Sequence, residues 1–465
     1  MSAWREDRNA WMHAAVLCAA GVTALAGCSG RPDRPDILLV TIDTLRADHC
    51  SAYGYGRPTT PRLEALAREG VQFETVYAPM ATTAPAHATL FTGLLPLWHG
   101  LVKNGQVLGD GHRMLAGALR AAGYRTGAIV SSFALDRRFG LHVGFESYDD
   151  RFSGRGQTMP AASWEGQMVD APFDRRADET RGRAVEWLRA HGYLERSRPR
   201  GQPPFFLWVH FFDPHNPYDP PAAHGEKFPP FGPDRLDREI AAYDGEIHFT
   251  DAQLGALLDA LAAVGALDRT LTVVTADHGE GLMQHGHMEH GLQIYEEAVR
   301  VPLVVRWPAG LAGPRRVPGP VQLADVAPTL AELAGLSWPQ PPGQGCSLVG
   351  ALHGKMQPDP WREVFLQRRR YDERLVAGKV VKGQKYALRA GRWKYIEGRE
   401  EGTFELYDLV ADPGERRNLL PSAPPEAAAL PVRLAGWVKG APGLPPAAPV
   451  DEEAARRLRS LGYAQ

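Results

Sequence analysis

Three segments of this chain are apolar runs that end on residues able to do chemistry: DILLVTID (36–43), PFFLWVHFFD (204–213) and TLTVVTADHG (270–279). A continuous apolar run bounded by turn signals reads as a strand buried on both faces, the kind found in parallel sheets covered by helices. Helical patterns fall between such runs. TPRLEALAREG (60–70) is amphipathic and closed by Gly70, and MLAGALRAAG (114–123), DAQLGALLDALAAVG (251–265) and DVAPTLAELAGL (325–336) read the same way. VQFETVYA (71–78), YRTGAIVSS (124–132) and VPLVVRWP (301–308) add strands. The alternation predicts an α/β doubly wound, mostly parallel sheet.

Two regions break the rhythm. Residues 150–203 are polar and rich in Arg and Gly, and read as an insertion with one helix near RGRAVEWLRAHG. After Gly345, KYALRAGRWKYIEG and FELYDLVADPGE read as short antiparallel strands, so 35–345 is expected to be the catalytic domain and 346–465 a smaller α+β subdomain. Within the latter, the Pro/Ala-rich 421–449 reads as a linker to a last helix, DEEAARRLRSLGY.

The N-terminus predicts export. Arg5 and Arg8 precede an apolar run from Ala14 to Ala26, too short to span a bilayer and right for a signal core. Leu25-Ala26-Gly27-Cys28 looks like a bacterial lipobox, which makes 1–27 a signal peptide, Cys28 the lipidated residue and 28–34 a tether; plain cleavage near Ala26 is the alternative. The expected location is the cell envelope, lipid-anchored in the periplasm, at the outer membrane or on the cell surface. Only Cys50 and Cys346 then remain, too few for a disulfide framework or a cysteine metal site, though the two could pair. A formal net charge of −2 gives no support for a nucleic-acid partner. Nothing in the sequence fixes an oligomeric state.

Ligands of open α/β sheets bind outside the carboxyl ends of the strands. Asp43, Asp277 and His278 all stand there, able to close on one divalent cation, although each alone could be a helix cap or a loop residue. TTAPAHATLFTG (82–93) permits two readings of Thr83: a helix cap, or a nucleophile held where a helix N-terminus gathers negative charge. ADHGEGLMQHGHMEHG carries four histidines (278, 285, 287, 290) within 13 positions. His210 and His215 close another core strand; His215 ranks above His210, which still lies inside the apolar run.

DTLRADHCSAYGYGRPTTPRLEALAREGVQFETVYAP, APAHATLFTG, HFFDPHNPYDPP, YDGEIHFTDAQLGALLDAL, TADHGEGL and ELYDLVADPGERRNL occur in the order expected of sulfatases within the alkaline phosphatase superfamily, which this chain closely resembles. The resemblance implies a hydrolase of sulfuric or phosphoric esters, with an anionic ester, small molecule or glycan, as substrate. It also implies departures. Sulfatases oxidise a Cys or Ser in C-x-P-S-R to formylglycine; here Thr83-Ala84-Pro85-Ala86-His87 occupies that segment, so formylglycine is not expected. The T-x-P-x-H form resembles threonine-nucleophile relatives such as nucleotide phosphodiesterases. Without a formylglycine hydrate, water must attack the central atom of a threonine ester in line, which favours phosphoester or phosphonate over sulfate.

The metal set implied is Asp43, Thr83, Asp277 and His278, similar to that of phosphonate monoester hydrolases. With one imidazole and few carboxylates it favours Mn²⁺, Zn²⁺ or Fe²⁺ over Ca²⁺. Asp213 and His215 are two apart rather than four, which favours one metal over two. By position, Asn104 is the implied donor to the substrate oxyanion (Lys103 its neighbour), and His215 the contact to the bound anion. His87 takes the place of the motif's Arg, and His290 the leaving-group side. Arg46 is expected to orient Asp43, and His285 is a weaker candidate. A transferase to a sugar or lipid hydroxyl, and a non-catalytic lipoprotein binding metal or sulfated glycan, are the competing readings.

Overall fold

The computed structural model describes residues 34–153, 173–376 and 378–443. Cys28, the apolar N-terminal run, part of 150–203 and the last helix expected at DEEAARRLRSLGY lie outside these residues. Among the described residues, no helix is long and apolar enough to cross a membrane.

The central sheet has eight strands: β1 (Asp36–Ile42), β2 (Val71–Tyr77), β3 (Arg125–Ile129), β4 (Ser147–Asp149), β5 (Phe205–Phe211), β6 (Thr270–Ala276), β9 (Arg300–Arg306) and β10 (Arg315–Gln322). A two-stranded ribbon, β7 (Gly281–Leu282) with β8 (Met288–Glu289), lies in the loop after β6. The spatial order is β10-β2-β9-β6-β1-β5-β3-β4. Every pairing is parallel except those of β9 with β2 and β6. The sheet is therefore doubly wound and mostly parallel, as the apolar runs predict. β1, β5 and β6 are buried along their whole length, so an apolar residue is favoured at every position rather than at alternate ones. Because they are adjacent and parallel, Asp43, Phe212 and Asp277 leave the sheet at one edge.

Helix α1 (Pro61–Glu69) lies in the connection from β1 to β2, and α2 (Thr83–Thr92), after β2, is buried at every residue. The stretch RGRAVEWLRAHG lies in a helix, Ala177–Ala190, that packs against β3, β5 and the long helix Arg235–Ala262.

That long helix corrects the expected start at Asp251. It begins at Arg235 because polar residues that interrupt the apolar pattern are themselves buried and paired. Asp244 meets His49, Tyr55 and Arg57; Glu246 accepts from the Asp219 N–H; Asp251 accepts from the N–H groups of Arg62 and Leu63, closing the N-terminus of α1.

The C-terminal sheet is antiparallel, in the order β11 (Val364–Val376), β12 (Lys379–Ala390), β13 (Trp393–Gly398) and β14 (Thr403–Asp408). β11 docks on the main body: the Gln367 N–H donates to the Pro79 carbonyl at 2.9 Å, and Val364 and Leu366 pack with Tyr77, Ala81 and Ile294. The stretch 421–449 is not simply a linker. Leu430–Gly440 is a helix that buries Leu430 and Leu434 and lays Trp437 flat on Phe365, ring centroids 4.5 Å apart. Cys50 is buried, Cys346 is exposed, and both are free thiols, so the two do not pair.

Candidate active site

Asp43 follows β1, and Asp277 and His278 follow β6; all three are fully buried. Asp277 Oδ1 accepts from the N–H groups of Thr44 (3.2 Å) and His278 (2.8 Å), which ties the two strand ends together. Asp277 Oδ2 and both carboxylate oxygens of Asp43 are buried with no hydrogen-bond partner. His278 Nδ1 donates to the Gly279 carbonyl at 2.9 Å, so its Nε2 lone pair faces inward. That Nε2 lies 3.5 Å from Asp277 Oδ2, 3.7 Å from Asp43 Oδ1 and 3.4 Å from Thr83 Oγ1.

Buried carboxylates without donors are costly unless a cation neutralises them. Burial, then the charges of Asp277 and Glu280, push the Asp43 carboxyl well above the usual range, and burial lifts Asp277 to about 6. Burial lowers His278 to about 4, which keeps its imidazole neutral and in ligand form. Orphaned oxygens, an inward lone pair and a hydroxyl at these separations fit one divalent cation held at about 2.0–2.2 Å from each donor.

Thr83 is the first residue of α2 rather than its cap; Thr82 holds the cap position without a side-chain bond. The capping acceptor is Asn104, whose Oδ1 takes the Ala84 N–H at 2.8 Å. This leaves Asn104 Nδ2 buried without a partner. His87 stands one turn along α2. Its Nδ1 donates to the Thr83 carbonyl at 2.8 Å, and its Nε2 accepts from the Thr41 hydroxyl at 3.0 Å, whose oxygen in turn accepts from Trp208 Nε1 at 2.9 Å. The His87 ring therefore faces the sheet and holds the first turn of the helix in place. These bonds also keep it from serving with His210 and Asp277 as a second cation site, although donor atoms of the three lie within 4.8 Å of one another. Burial lowers its pKa.

His215 and His290 come together from different loops, Nε2 to Nε2 at 3.1 Å, with the His290 ring 4.4 Å from that of His278. Lys103 is half-buried beside Asn104. Asp213 Oδ2 accepts the Ala177 N–H at 2.7 Å and so caps the Ala177–Ala190 helix.

Arg46 is a correction. Its guanidinium holds Asp48 (2.7 and 2.9 Å) and the Glu280 carbonyl (3.0 Å), and makes no hydrogen bond to Asp43. The side chain that approaches Asp43 is His210. Its Nδ1 accepts from the Ser131 N–H at 3.4 Å, so Nε2 carries the hydrogen and points at Asp43 Oδ2, 3.5 Å away. His285 lies apart from the site, bonded to Glu297 and to the Glu415 carbonyl.

Thr44 also escaped the sequence reading. It is a β-branched residue at φ +55°, a conformation that costs about 1–3 kcal/mol and persists only where the surroundings impose it. Its N–H serves Asp277 and its carbonyl accepts from Tyr243 (2.6 Å), while its hydroxyl is buried without a partner. A Thr after a strand-end Asp carries no sequence signal for that geometry.

Comparisons with known proteins identify the family. The family described as Sulfatase matches residues 35–336, and the one described as N-sulphoglucosamine sulphohydrolase, C-terminal, matches 284–433. The arylsulfatase of Clostridium perfringens is 27% identical, over 84% of this chain and 91% of that protein. The choline-sulfatase of Rhizobium meliloti is 27% identical over 87% of each. The crystal structure of the phosphonate monoester hydrolase of Agrobacterium radiobacter superposes with a TM-score of 0.68 at 27% identity, over 87% of this chain and 94% of that one. The chain belongs to the sulfatase family, a family of sulfuric ester hydrolases with a divalent metal and an alkaline phosphatase-like fold.

Proposed function

We propose that this ester hydrolase works through a covalent ester on Thr83 Oγ1, and that phosphoester or phosphonate substrates turn over better than sulfate esters. The observation that carries the reading is the placement of Thr83 Oγ1, buried at the start of α2 and 3.4 Å from the inward Nε2 of His278, beside the orphaned oxygens of Asp43 and Asp277. Asp43, Asp277, His278 and Thr83 would hold the divalent cation, with Mn²⁺, Zn²⁺ or Fe²⁺ favoured over Ca²⁺ by this donor set. Bound there, it supplies positive charge that favours the ionised hydroxyl and the oxyanion of the transition state.

The chain's own groups do the rest. Asn104 Nδ2 donates to a non-bridging oxygen of the substrate, and the first turn of α2 adds its dipole. His87 positions Thr83 through its carbonyl. Thr83 Oγ1, its proton already released to solvent, attacks as the alkoxide and forms a bond to phosphorus while the bond to the leaving oxygen breaks; that oxygen takes a proton from the His215–His290 pair. Water then attacks the same phosphorus, returns a proton to the pair and expels Thr83. Likeness to a phosphonate monoester hydrolase supports the phosphoryl preference, as does the absence of any hemiacetal exit from a threonine ester.

The test is hydrolysis of 4-nitrophenyl phosphate, methyl phosphonate and sulfate by manganese-loaded protein, with rapid quench and intact-mass analysis. A phosphorylated Thr83 and loss of about 10³-fold or more in Thr83→Ala are expected. A Thr83→Ala protein as active as the parent refutes the nucleophile, and faster sulfate than phosphate turnover refutes the preference.

A further inference from the structure

QRRRYDER (367–374) places three consecutive arginines on β11, the strand that docks against the segment leading into Thr83. Side chains alternate along a strand, and the first and third arginines have acidic partners. Arg368 pairs with Glu401 at 2.6 Å and donates to the carbonyls of Lys382 and Gly383. Arg370 grips Glu400 with two bonds, 2.6 and 2.7 Å. Arg369, between them, is paired differently. Among the described residues it meets no carboxylate and no hydrogen-bond acceptor; its guanidinium lies over the Tyr371 ring, 3.9 Å from the centroid.

Tyr371 is itself fixed at the active-site rim. Its hydroxyl donates to the Gly291 carbonyl at 3.1 Å, next to His290. A bulge makes this possible: Arg368 pairs with Lys385 and Tyr371 with Gly383, so β11 carries one residue more than β12 between these points. Bulges near sites re-aim side chains, and here the extra residue falls at the stretch containing Arg369. An arginine flattened on an aromatic ring keeps its N–H fork ordered and open, which suits recognition of an oxyanion.

We propose that Arg369 forms a second anion-binding subsite beside the His290 side of the centre, so that the preferred substrates carry, on the leaving-group portion, a carboxylate or a second sulfate or phosphate. This rests on the ester-hydrolase reading above, with His290 on the leaving-group side.

The test compares phenyl phosphate with 3-carboxyphenyl phosphate and 3-sulfonatophenyl phosphate, using manganese-loaded full-length protein. The parent is expected to favour one or both charged esters by about tenfold or more in kcat/KM, chiefly through KM, and the preferred arm identifies the anion. In Arg369→Gln that ratio is expected to fall toward one, with Arg369→Lys between. An unchanged ratio in Arg369→Gln, equal loss on all three esters, or no preference in the parent overturns the subsite. Binding of the three esters to Thr83→Ala protein, followed calorimetrically, reads the same preference without turnover. If no ester is turned over but the binding preference depends on Arg369, the hydrolytic reading fails and the subsite stands.

Discussion

The Nε2 atoms of His215 and His290 face one another at 3.1 Å, while each Nδ1 meets a main-chain carbonyl, that of Asn216 at 2.6 Å and that of Ala81 at 3.3 Å. Two bare lone pairs would repel at that distance, so one Nε2 carries a hydrogen. A hydrogen held there suits protonation of a departing oxygen. His290→Asn is therefore expected to slow hydrolysis about 10²–10⁴-fold for esters with poor leaving groups, and far less for 4-nitrophenyl esters. Rates across substituted phenyl esters check this. A uniform loss along the series would remove the acid role.

His285 gives a pH dependence of a different kind, because it joins the loop after β6 to the C-terminal sheet. Its Nδ1 lies 2.6 Å from Glu297 Oε1, its Nε2 3.0 Å from the Glu415 carbonyl, and its ring stacks 3.7 Å from Tyr295. Both nitrogens face acceptors, so the ring is charged. Burial lowers its pKa, but the Glu297 bond and charge, with Glu415, leave it above the ordinary imidazole value. A raised folded pKa means the contact stabilises fully below the unfolded value of about 6.5 and is lost as pH rises through the folded one. Glu415, raised to about 7 chiefly by burial, also makes stability fall with rising pH, and Lys379 donates to the His285 carbonyl. Comparison with His285→Gln isolates the imidazole. The parent's melting temperature should fall more steeply above pH 6.5 than the variant's; matching slopes would show that His285 binds as a neutral ring.

How far the sequence foretells this molecule depends on where its polar groups are buried. β1, β5 and β6 are legible because nothing interrupts their apolar runs, and they bring Asp43, Asp277 and His278 to one edge. β10 is harder to see, since RRVPGPVQ carries two prolines, which the outermost strand of a sheet tolerates. β11 is hidden by its charges, among them Arg368 and Arg370, whose partners Lys382 and Glu400 lie 14 and 30 residues away. At the site, the meeting of Asp43, Asp277 and His278 at the strand ends is readable, while tautomers and the places of Arg46 and Thr44 are not. His210 and His87 each have their ring orientation set by a group from another segment, the Ser131 N–H and the Thr41 hydroxyl.

His210 lends itself to a direct measurement. Its Nε2–H lies 3.5 Å from Asp43 Oδ2. Groups that orient a metal-binding carboxylate typically contribute about 10–100-fold in metal affinity. His210→Phe keeps a ring in the same space without the N–H, and should weaken manganese binding by that factor in equilibrium titration. His210→Gln should recover part of it. Unchanged affinity in His210→Phe would make His210 a packing residue only.

Asp43 permits the sharpest test of the cation site, because the same substitution should act with opposite sign in two conditions. In chelator, burial, with no donor on three of their oxygens, and their mutual repulsion make ionisation of Asp43 and Asp277 costly. Asp43→Asn removes one charge and keeps the shape, so the metal-free variant should melt about 1–3 °C above the metal-free parent. Added Mn²⁺ at about a hundred times its dissociation constant should stabilise the parent by about 2.7 kcal/mol and leave the variant nearly unmoved. The order of melting temperatures then reverses between chelator and manganese. If the parent were the more stable protein in chelator too, the carboxylates would already be compensated by the chain itself, and the case for a cation between Asp43, Asp277 and His278 would fail.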